Sequence, residues 1–302
     1  MKTNLKQHIT IVLTMRHLIF VQHGMFGFSY FFDNFKKTME STIKDSIVFL
    51  PSANNFVLST MGTKRCGTNL ANYIENKIKL YPEAETVSYI GHSFGGVLGR
   101  YAIGLLHERD PQIFDKIKPL AFVTISTPHL GVTTNESHVK WALKYFTGPT
   151  GKELILKDSA SDLNDPILYE ISEKDSSYMI ALDKFKVKML YGNLYNDTVS
   201  YESACMCTTL PLDATNIKDY LIEVVPERLF VINQNVDTSN PDDKFKALKE
   251  INWIKKVADL KEYTNSHITI VGRHTFIPFL EVNECEGSIV VLDIIYEMLK
   301  HV

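Results

Sequence analysis

Cysteine is scarce in this chain, and neither sign of charge is in large excess. The 302 residues include 4 cysteines and carry a formal net charge of −3. Four cysteines are too few for a disulfide scaffold, and Cys205 and Cys207 lack a second pair at zinc-ligand spacing. We therefore expect reduced thiols in a cytoplasmic protein. Because no basic cluster is long enough to neutralise many phosphates, we expect no nucleic-acid partner.

Long hydrophobic runs are also missing. No run approaches the roughly 18 apolar residues that a membrane-spanning helix needs. Near the N-terminus, Lys2 and Lys6 precede the apolar run Ile9–Met15, which imitates a signal peptide but is short and lacks a small-residue cleavage site. We expect a strand there, or an extension ahead of an alternative start at Met15. Any contact with a membrane or a lipid droplet would then be peripheral.

Short β-branched runs alternate with longer segments of helical spacing. Hydrophobic residues make up 45% of the chain, which is enough for a sizeable core. The predicted strands are residues 17–22, 47–50, 86–90, 120–125, 187–191 and 228–233, and the predicted helices are residues 31–43, 69–80, 96–108 and 288–301. This alternation predicts a single α/β domain over residues 1–302, with a mostly parallel central sheet and helices on both faces.

Residues 130–180 interrupt the alternation of strands and helices. They mix amphipathic helical pieces with polar linkers that contain Gly and Pro. We interpret this insertion as a candidate lid or cap. Its apolar side chains, such as Trp141, Tyr145 and Phe146, could form an acyl site or an interfacial contact, and core packing is the alternative use of such residues.

A serine lies between two glycines where a predicted strand ends and a helix begins. Gly91-His92-Ser93-Phe94-Gly95 has the G-x-S-x-G pattern of a nucleophile elbow, a sharp turn that exposes the serine hydroxyl at the top of an α/β-hydrolase sheet. A side chain at either glycine would collide with the neighbouring strand or helix. The Phe94 amide, at the helix N-terminus, would be one donor to an oxyanion. A glycine-rich turn with an inert serine is the alternative.

A second glycine-rich loop follows the first predicted strand. His23-Gly24-Met25-Phe26-Gly27 lies where a hydrolase places the loop that donates the other oxyanion N–H, and Met25 would supply it. The alternative is a strand-to-helix turn whose glycines serve only the turn. Because both motifs follow strands and occur in the expected order, their co-occurrence favours the catalytic interpretation.

The serine needs an imidazole base, which in turn needs a carboxylate that orients it. In this fold both follow the serine, with the acid first. Asp197 follows a late strand closely, whereas Asp183 and Asp213 do not, so we predict Asp197 as the acid. Two histidines come after it, His267 and His274. We favour His267 as the base and keep His274 as the alternative.

Five segments of the chain resemble a known family, the serine esterases labelled domain of unknown function 676, which includes fungal lipid-droplet phospholipases and lipase-like proteins. The segments are HLIFVQHGMFG (17–27), YIGHSFGGVLGRYAIG (89–104), FVTISTPHLGV (122–132), GNLYNDTVSYESA (192–204) and SHITIVGR (266–273). The resemblance implies an α/β-hydrolase fold with a Ser-Asp-His triad that acts on acyl esters of lipids. Carried onto matching positions, Ser93 is the nucleophile, Asp197 the acid and His267 the base.

Three positions depart from the family pattern. Phe26 and Phe94 stand where family members commonly have Trp and Leu, and both keep the backbone donors. Asn265 stands where the family often has another histidine, two residues before the base.

These observations lead to the hypothesis of a serine hydrolase that requires neither a metal nor a cofactor and cleaves carboxylic esters, those of lipids in particular, through an acyl-enzyme. Because a triad does not choose its leaving group, a thioesterase or acyltransferase acting on acyl-CoA or acyl-protein is an alternative. A catalytically silent hydrolase fold that binds lipid or protein is another.

Overall fold

The central element of the protein is an eight-stranded β-sheet, seen here in a computed structural model. The structure describes residues 16–132, 147–158, 165–207, 221–223, 229–232, 240, 243–272 and 287–301. The strands are β1 (His17–Gln22), β2 (Ser46–Phe49), β3 (Thr86–His92), β4 (Lys118–Ile125), β5 (Val187–Asn193), β6 (Leu221–Glu223), β7 (Leu229–Ile232) and β8 (Ile254–Ala258). Every residue of β1, β3 and β5 is buried, which explains their nearly continuous apolar sequences.

The strand order is β2-β1-β3-β4-β5-β8-β7-β6. The first six strands in this order run parallel, while β7 is antiparallel to β8 and to β6. Parallel strands joined by crossovers end at the same edge of a sheet. The chain that leaves β1, β3, β5 and β8 therefore emerges on one side, and the candidate site residues follow these strands.

Helices cover both faces of the sheet. The longer ones are α1 (Asp33–Thr42), α2 (Thr63–Leu80), α3 (Phe94–Arg109) and, near the C-terminus, α11 (Gly287–Leu299). Between them lie α4 (Ile113–Lys116), α5 (Gly148–Leu154), α6 (Ile167–Glu170), α7 (Ser177–Asp183), α8 (Tyr201–Ala204), α9 (Lys246–Glu250) and α10 (Ser266–Thr269), and 3₁₀ helices form at Ser29–Phe32 and Phe56–Thr60.

Two hydrophobic clusters hold the helices against the sheet. Leu18 and Phe20 of β1 contribute to the cluster beneath α2 and α3, while Ile19 and Val21 contribute to the cluster beneath α1 and α11. This division follows from the period of two along a strand, which sends successive side chains to opposite faces. The prediction of an α/β fold with a mostly parallel, doubly covered sheet is confirmed.

Strands β6 and β8 were not predicted from the sequence. The sequence of β8 is IKKVA, and its two lysines interrupt the apolar run by which a buried strand is recognised. Lys256 is buried because its ammonium group pairs with Asp293 and Glu297 on α11, at 2.7 and 2.9 Å. Lys255 donates to the carbonyl oxygen of Met206 instead. A pattern of hydrophobic residues cannot report partners that lie about 40 positions away.

Several predictions fall outside the described residues. The apolar run at 9–15, the aromatic residues at 141, 145 and 146, and the alternative base at 274 are among them. In the described part of the insertion, α5, α6 and α7 contribute buried residues to the core, and a role as a lid stays a prediction. Within the described ranges, no helix combines the length and the apolar character needed to cross a membrane.

Candidate active site

Ser93 occupies a strained turn between β3 and α3. Its backbone adopts φ 55° and ψ −130°, a combination that a residue with a side chain rarely adopts. Two hydrogen bonds connect the turn to the end of β4 and the residues after it: the Ser93 amide donates to the carbonyl oxygen of Ile125 at 2.8 Å, and Thr127 Oγ1 donates to the carbonyl oxygen of Ser93 at 2.9 Å. The end of β4 therefore fixes the serine in the geometry of a nucleophile elbow.

The glycines around the serine permit close contacts between backbones. A Cβ atom on Gly95 would collide with the carbonyl oxygen of Gln22, and one on Gly91 would lie 2.5 Å from the amide nitrogen of Gly96. Both collisions agree with the reason predicted for these glycines. A Cβ on Gly24 would lie 2.5 Å from the Cβ of Ser93, so the first glycine-rich loop lies directly against the serine.

The structure brings Ser93, His267 and Asp197 together. His267 Nε2 lies 2.9 Å from Ser93 Oγ, and His267 Nδ1 lies 2.7 Å from Asp197 Oδ1. An ionised carboxylate only accepts, so Nδ1 carries the proton and Nε2 offers its lone pair to the serine hydroxyl. The side chains of His267 and Asp197 are 11% and 2% exposed. The three residues selected from the sequence thus form one hydrogen-bonded chain, while their catalytic roles stay predictions.

Asp197 is enclosed by hydrogen-bond donors. Oδ1 accepts from the amide of Val199 at 2.8 Å as well as from His267, and Oδ2 accepts from Ser126 Oγ and Asn193 Nδ2 at 2.7 and 2.5 Å. Burial opposes ionisation, but the electrostatic attraction of His267 and these hydrogen bonds hold the pKa of Asp197 below its usual range. The carboxylate can therefore stay ionised in a nearly solvent-free position.

Asn193 and Ser126 were not among the predicted site residues. Asn193 Nδ2 also faces Ser126 Oγ and the carbonyl oxygen of Ser266, each at 3.1 Å. Each of these two residues is at or directly after the end of a parallel strand, and each lies in a segment already singled out by its resemblance, GNLYNDT and STPHLGV. That position was the signal that could have identified them.

His92, the residue before the serine, contacts His267. Its Nε2 lies 2.7 Å from the carbonyl oxygen of His267, and the two rings are 4.8 Å apart between centroids. Burial, with a smaller effect from the neighbouring His267, lowers the pKa of His92 to about 3. The His92 ring is therefore neutral at physiological pH. In the sequence His92 occupies the first variable position of the G-x-S-x-G pattern, and its contact with His267 was not predicted.

The two predicted oxyanion donors are backbone amides beside Ser93. Among the described residues, neither the Met25 amide nor the Phe94 amide has a hydrogen-bond acceptor. Phe94 is the first residue of α3, where the positive end of the helix dipole adds to the pull on an anion. Both amides are therefore available to a developing negative charge, and their function stays a prediction.

The loop that carries Met25 is tied to the segment that precedes α2. The Phe26 amide donates to Ser59 Oγ at 2.8 Å, and Asn55 Oδ1 accepts from the Ser29 amide at 3.0 Å and lies 2.9 Å from His23 Nε2. Phe26 has φ 56°, a left-handed conformation that these contacts maintain. Preorganised donors of this kind cost no rearrangement when charge develops.

The alternative candidates for the acid and the base are Asp183, Asp213 and His274, and only Asp183 lies among the described residues. Asp183 ends α7, and its exposed carboxylate faces Lys188 at 3.4 Å. His274 and Asp213 lie outside the described residues. In the part of the chain that the structure describes, no three His, Cys, Asp or Glu side chains are grouped so that they could hold a metal ion. Cys66, Cys205 and Cys207 are free and buried.

The sheet order and the sharp strand-to-helix turn after β3 define an α/β-hydrolase fold. Residues 14–209 match the family described as "Putative serine esterase (DUF676)". The match covers more than half of the chain, so the chain belongs to this family. It includes Ser93 and Asp197, and it ends before His267.

Relatives of the chain occur in Saccharomyces cerevisiae. The chain is 30% identical over 204 residues to "Putative lipase ROG1", covering 65% of this chain and 29% of that protein. It is 32% identical over 191 residues to "Putative lipase YDL109C", covering 61% of this chain and 29% of the relative. The aligned region thus spans less than a third of the length of the curated relatives.

Among the solved structures that resemble the chain along most of its length are the following two. One, from work on the metagenome-derived lipolytic enzymes LipS and LipT, covers 95% of both chains at 11% identity with a TM-score of 0.46. The other is a Paleococcus ferrophilus monoacylglycerol lipase, which covers 94% of this chain and 95% of that one at 12% identity with a TM-score of 0.44.

Proposed function

We propose that this protein is a serine hydrolase that cleaves carboxylic esters, those of lipids in particular. The observation that carries the proposal is the hydrogen-bonded chain from Ser93 Oγ through His267 to Asp197, with distances of 2.9 and 2.7 Å. An isolated serine hydroxyl is a weak nucleophile at neutral pH, and this arrangement is the one that activates it.

The reaction proceeds in two halves. Ser93 Oγ attacks the ester carbonyl carbon while its proton passes to His267 Nε2, and the amides of Met25 and Phe94 stabilise the resulting oxyanion. His267 then gives that proton to the oxygen of the leaving alcohol as the ester C–O bond breaks. The acyl group stays bound to Ser93 Oγ. In the second half, water attacks the carbonyl carbon of the acyl group while its proton passes to His267 Nε2. His267 then returns the proton to Ser93 Oγ, and the carboxylic acid departs.

Asp197 has two tasks in this scheme. It keeps the proton of neutral His267 on Nδ1, so that Nε2 can accept, and it stabilises the imidazolium that forms when Nε2 is protonated. The low pKa that its hydrogen bonds maintain suits both tasks, because a protonated carboxyl would do neither.

The lipid character of the substrate is inferred from two sources. The chain belongs to a family described as serine esterases, and its yeast relatives are named as lipases. Those relatives are more than three times as long as the aligned region, so their activity and substrates are carried to this chain only as part of the proposal.

A lipid surface would meet the protein beside the first glycine-rich loop. Phe56, Val57, Leu58 and Met61 are 48%, 53%, 48% and 38% exposed, and residues 46–63 contain no Asp, Glu, Lys or Arg. Exposed apolar residues that cluster on a soluble surface are typical of an interaction site. The bond between the Phe26 amide and Ser59 links this segment to the proposed oxyanion loop.

Sedimentation with phosphatidylcholine vesicles tests the surface contact. Val57→Ser should reduce the fraction bound, whereas Leu80→Ser, at a 62% exposed position at the end of α2, should not. Equal binding by both variants and the parent would remove this contact from the proposal.

The reaction itself is tested by initial rates on short p-nitrophenyl esters, triglyceride, phospholipid and an acyl-CoA thioester. Ester hydrolysis that Ser93→Ala and His267→Ala abolish supports the proposal, with His274→Ala as the control that keeps activity. Turnover of the thioester alone would indicate a thioesterase instead. A folded protein that hydrolyses nothing would indicate a silent hydrolase fold that binds its ligand.

A further inference from the structure

Besides the contact of Ser93 Oγ with His267, a hydrogen bond between residues 175 positions apart connects the serine turn to the main chain of His267. His92 is the last residue of β3, and its Nε2 lies 2.7 Å from the carbonyl oxygen of His267. His92 is buried, and its ring lies 6.0 Å from the ring of Phe32 on one side and 4.8 Å from that of His267 on another, between centroids. Its position is therefore fixed by packing.

The carbonyl oxygen of His267 has no other donor among the described residues. Helix α10 is a single turn, and the amide of Val271, which would reach this oxygen in a longer helix, instead lies 3.4 Å from the carbonyl oxygen of Ile268. A one-turn helix has little stability of its own. The base is therefore carried by a segment that needs support from outside, and His92 supplies it at the residue that bears the reacting ring.

The His92 ring can act only as a donor in this contact. A carbonyl oxygen accepts and cannot donate, so the proton must be on His92 Nε2. Burial keeps the ring neutral, and its neighbours His267, Asp197 and His23 do not reverse this effect. A neutral ring can remain close to His267 when that residue becomes an imidazolium, whereas a cation there would repel it.

We propose that His92 is a positioning residue for the base: its imidazole N–H holds the main chain of His267 so that the ring stays within hydrogen-bonding distance of Ser93. The inference rests on the proposed function, because it assigns His92 to the same site. His92 touches neither the serine hydroxyl nor the substrate in this scheme. It acts through His267, and its removal should slow the chemical step rather than weaken substrate binding.

Two substitutions separate the hydrogen bond from the packing. His92→Phe keeps a ring of similar shape and removes the donor, whereas His92→Gln offers an amide N–H at a similar reach. His17→Phe is the matched control, because His17 is also a buried histidine in the parallel sheet, bonded to Ser88, and lies near the opposite end of β3. The measurements are kcat and KM on a short p-nitrophenyl ester, the pH dependence of kcat/KM, and the melting temperature.

His92→Phe should lower kcat about 10- to 100-fold with little change in KM, since a displacement of about 1 Å is enough for such a loss. In the pH profile of kcat/KM, the ascending limb of the His92→Phe variant should shift relative to the parent, because the position of the His267 ring changes. His92→Gln should recover most of the rate. His17→Phe should lower the melting temperature but leave kcat at 25 °C unchanged. A His92→Phe kcat within twofold of the parent, or a His92→Gln variant as slow as His92→Phe, would overturn the proposal.

Nitrogen-15 NMR of the intact parent protein provides a test that needs no folded His92→Phe variant. The His92 ring should show a protonated Nε2 and a bare Nδ1 from pH 5 to pH 8, with the signal assigned by its loss in His92→Gln. A ring protonated on Nδ1, or one that titrates in this range, contradicts the proposed contact. If the parent shows no Ser93-dependent hydrolysis, the proposed function fails. If it hydrolyses esters and His92→Phe does so equally, only this inference fails.

Discussion

The side-chain amide of Asn193 donates a hydrogen bond to the carbonyl oxygen of Ser266 at 3.1 Å. Asn193 ends β5, and Ser266 begins the helical turn that carries His267. The same amide group lies 2.5 Å from Asp197 Oδ2. One buried side chain therefore contacts both Asp197 and the helical turn that carries His267.

Asn193→Ala should lower kcat by about 10-fold or more, because the acid and the base would each lose one of the contacts that set their distance. Steady-state kinetics on a p-nitrophenyl ester measures the effect. Asn69→Ala is the control, since Asn69 bonds to Asn54 in a half-buried position on α2, away from the triad. Equal kcat in the two variants would show that the Asn193 contacts do not support catalysis.

Gly24→Ala should abolish ester hydrolysis while the protein still folds. The new Cβ would lie 2.5 Å from the Cβ of Ser93, so the loop with Met25, or the serine itself, must move. Loss of a well-placed oxyanion donor costs about 100-fold or more in kcat. Gly192→Ala is the comparison, because its Cβ would meet the sulphur of Cys205 at 2.9 Å and should reduce stability instead. Full activity in Gly24→Ala would contradict the close approach.

Stability should fall as the pH decreases from about 6.5 towards 3. Burial lowers the pKa of His17 to about 3, so the unfolded chain takes up a proton in this range and the folded protein does not. One such group contributes up to about 1.4 kcal/mol per pH unit to the free energy of unfolding. Urea titrations at several pH values give the free energy of unfolding at each pH, and its dependence on pH should be shallower in His17→Gln than in the parent. Identical slopes would mean that His17 titrates normally.

Lys256→Met should lower the free energy of unfolding by about 3–5 kcal/mol, because it leaves Asp293 buried without its cation, while Glu297 keeps only its pair with Lys300 at 3.3 Å. Lys244→Met should leave the free energy of unfolding nearly unchanged, since the pair of Lys244 with Asp165 is solvent-exposed. Urea denaturation of both variants gives the comparison. If the two losses were equal, the buried pairing of β8 with α11 would not be a major source of stability.

The sequence predicted local features well and distant contacts poorly. The predicted bounds of β1 agree with the structure, and the turn at Ser93 was recognisable because glycine spacing and strand ends are local properties. The contacts of His92 and Asn193 with the segment of the base were missed because their partners lie 175 and 73 positions away. Strand β8 was missed for the same reason, since its lysine is buried only by partners on α11.

Intact-mass spectrometry after treatment with a fluorophosphonate probe tests the central claim most directly, because the probe reacts with a serine that an adjacent imidazole activates. We expect one adduct per chain, located on Ser93, absent in Ser93→Ala and slowed by about 10⁴-fold or more in His267→Ala. An unmodified parent protein, or an adduct that persists in Ser93→Ala, would contradict the account.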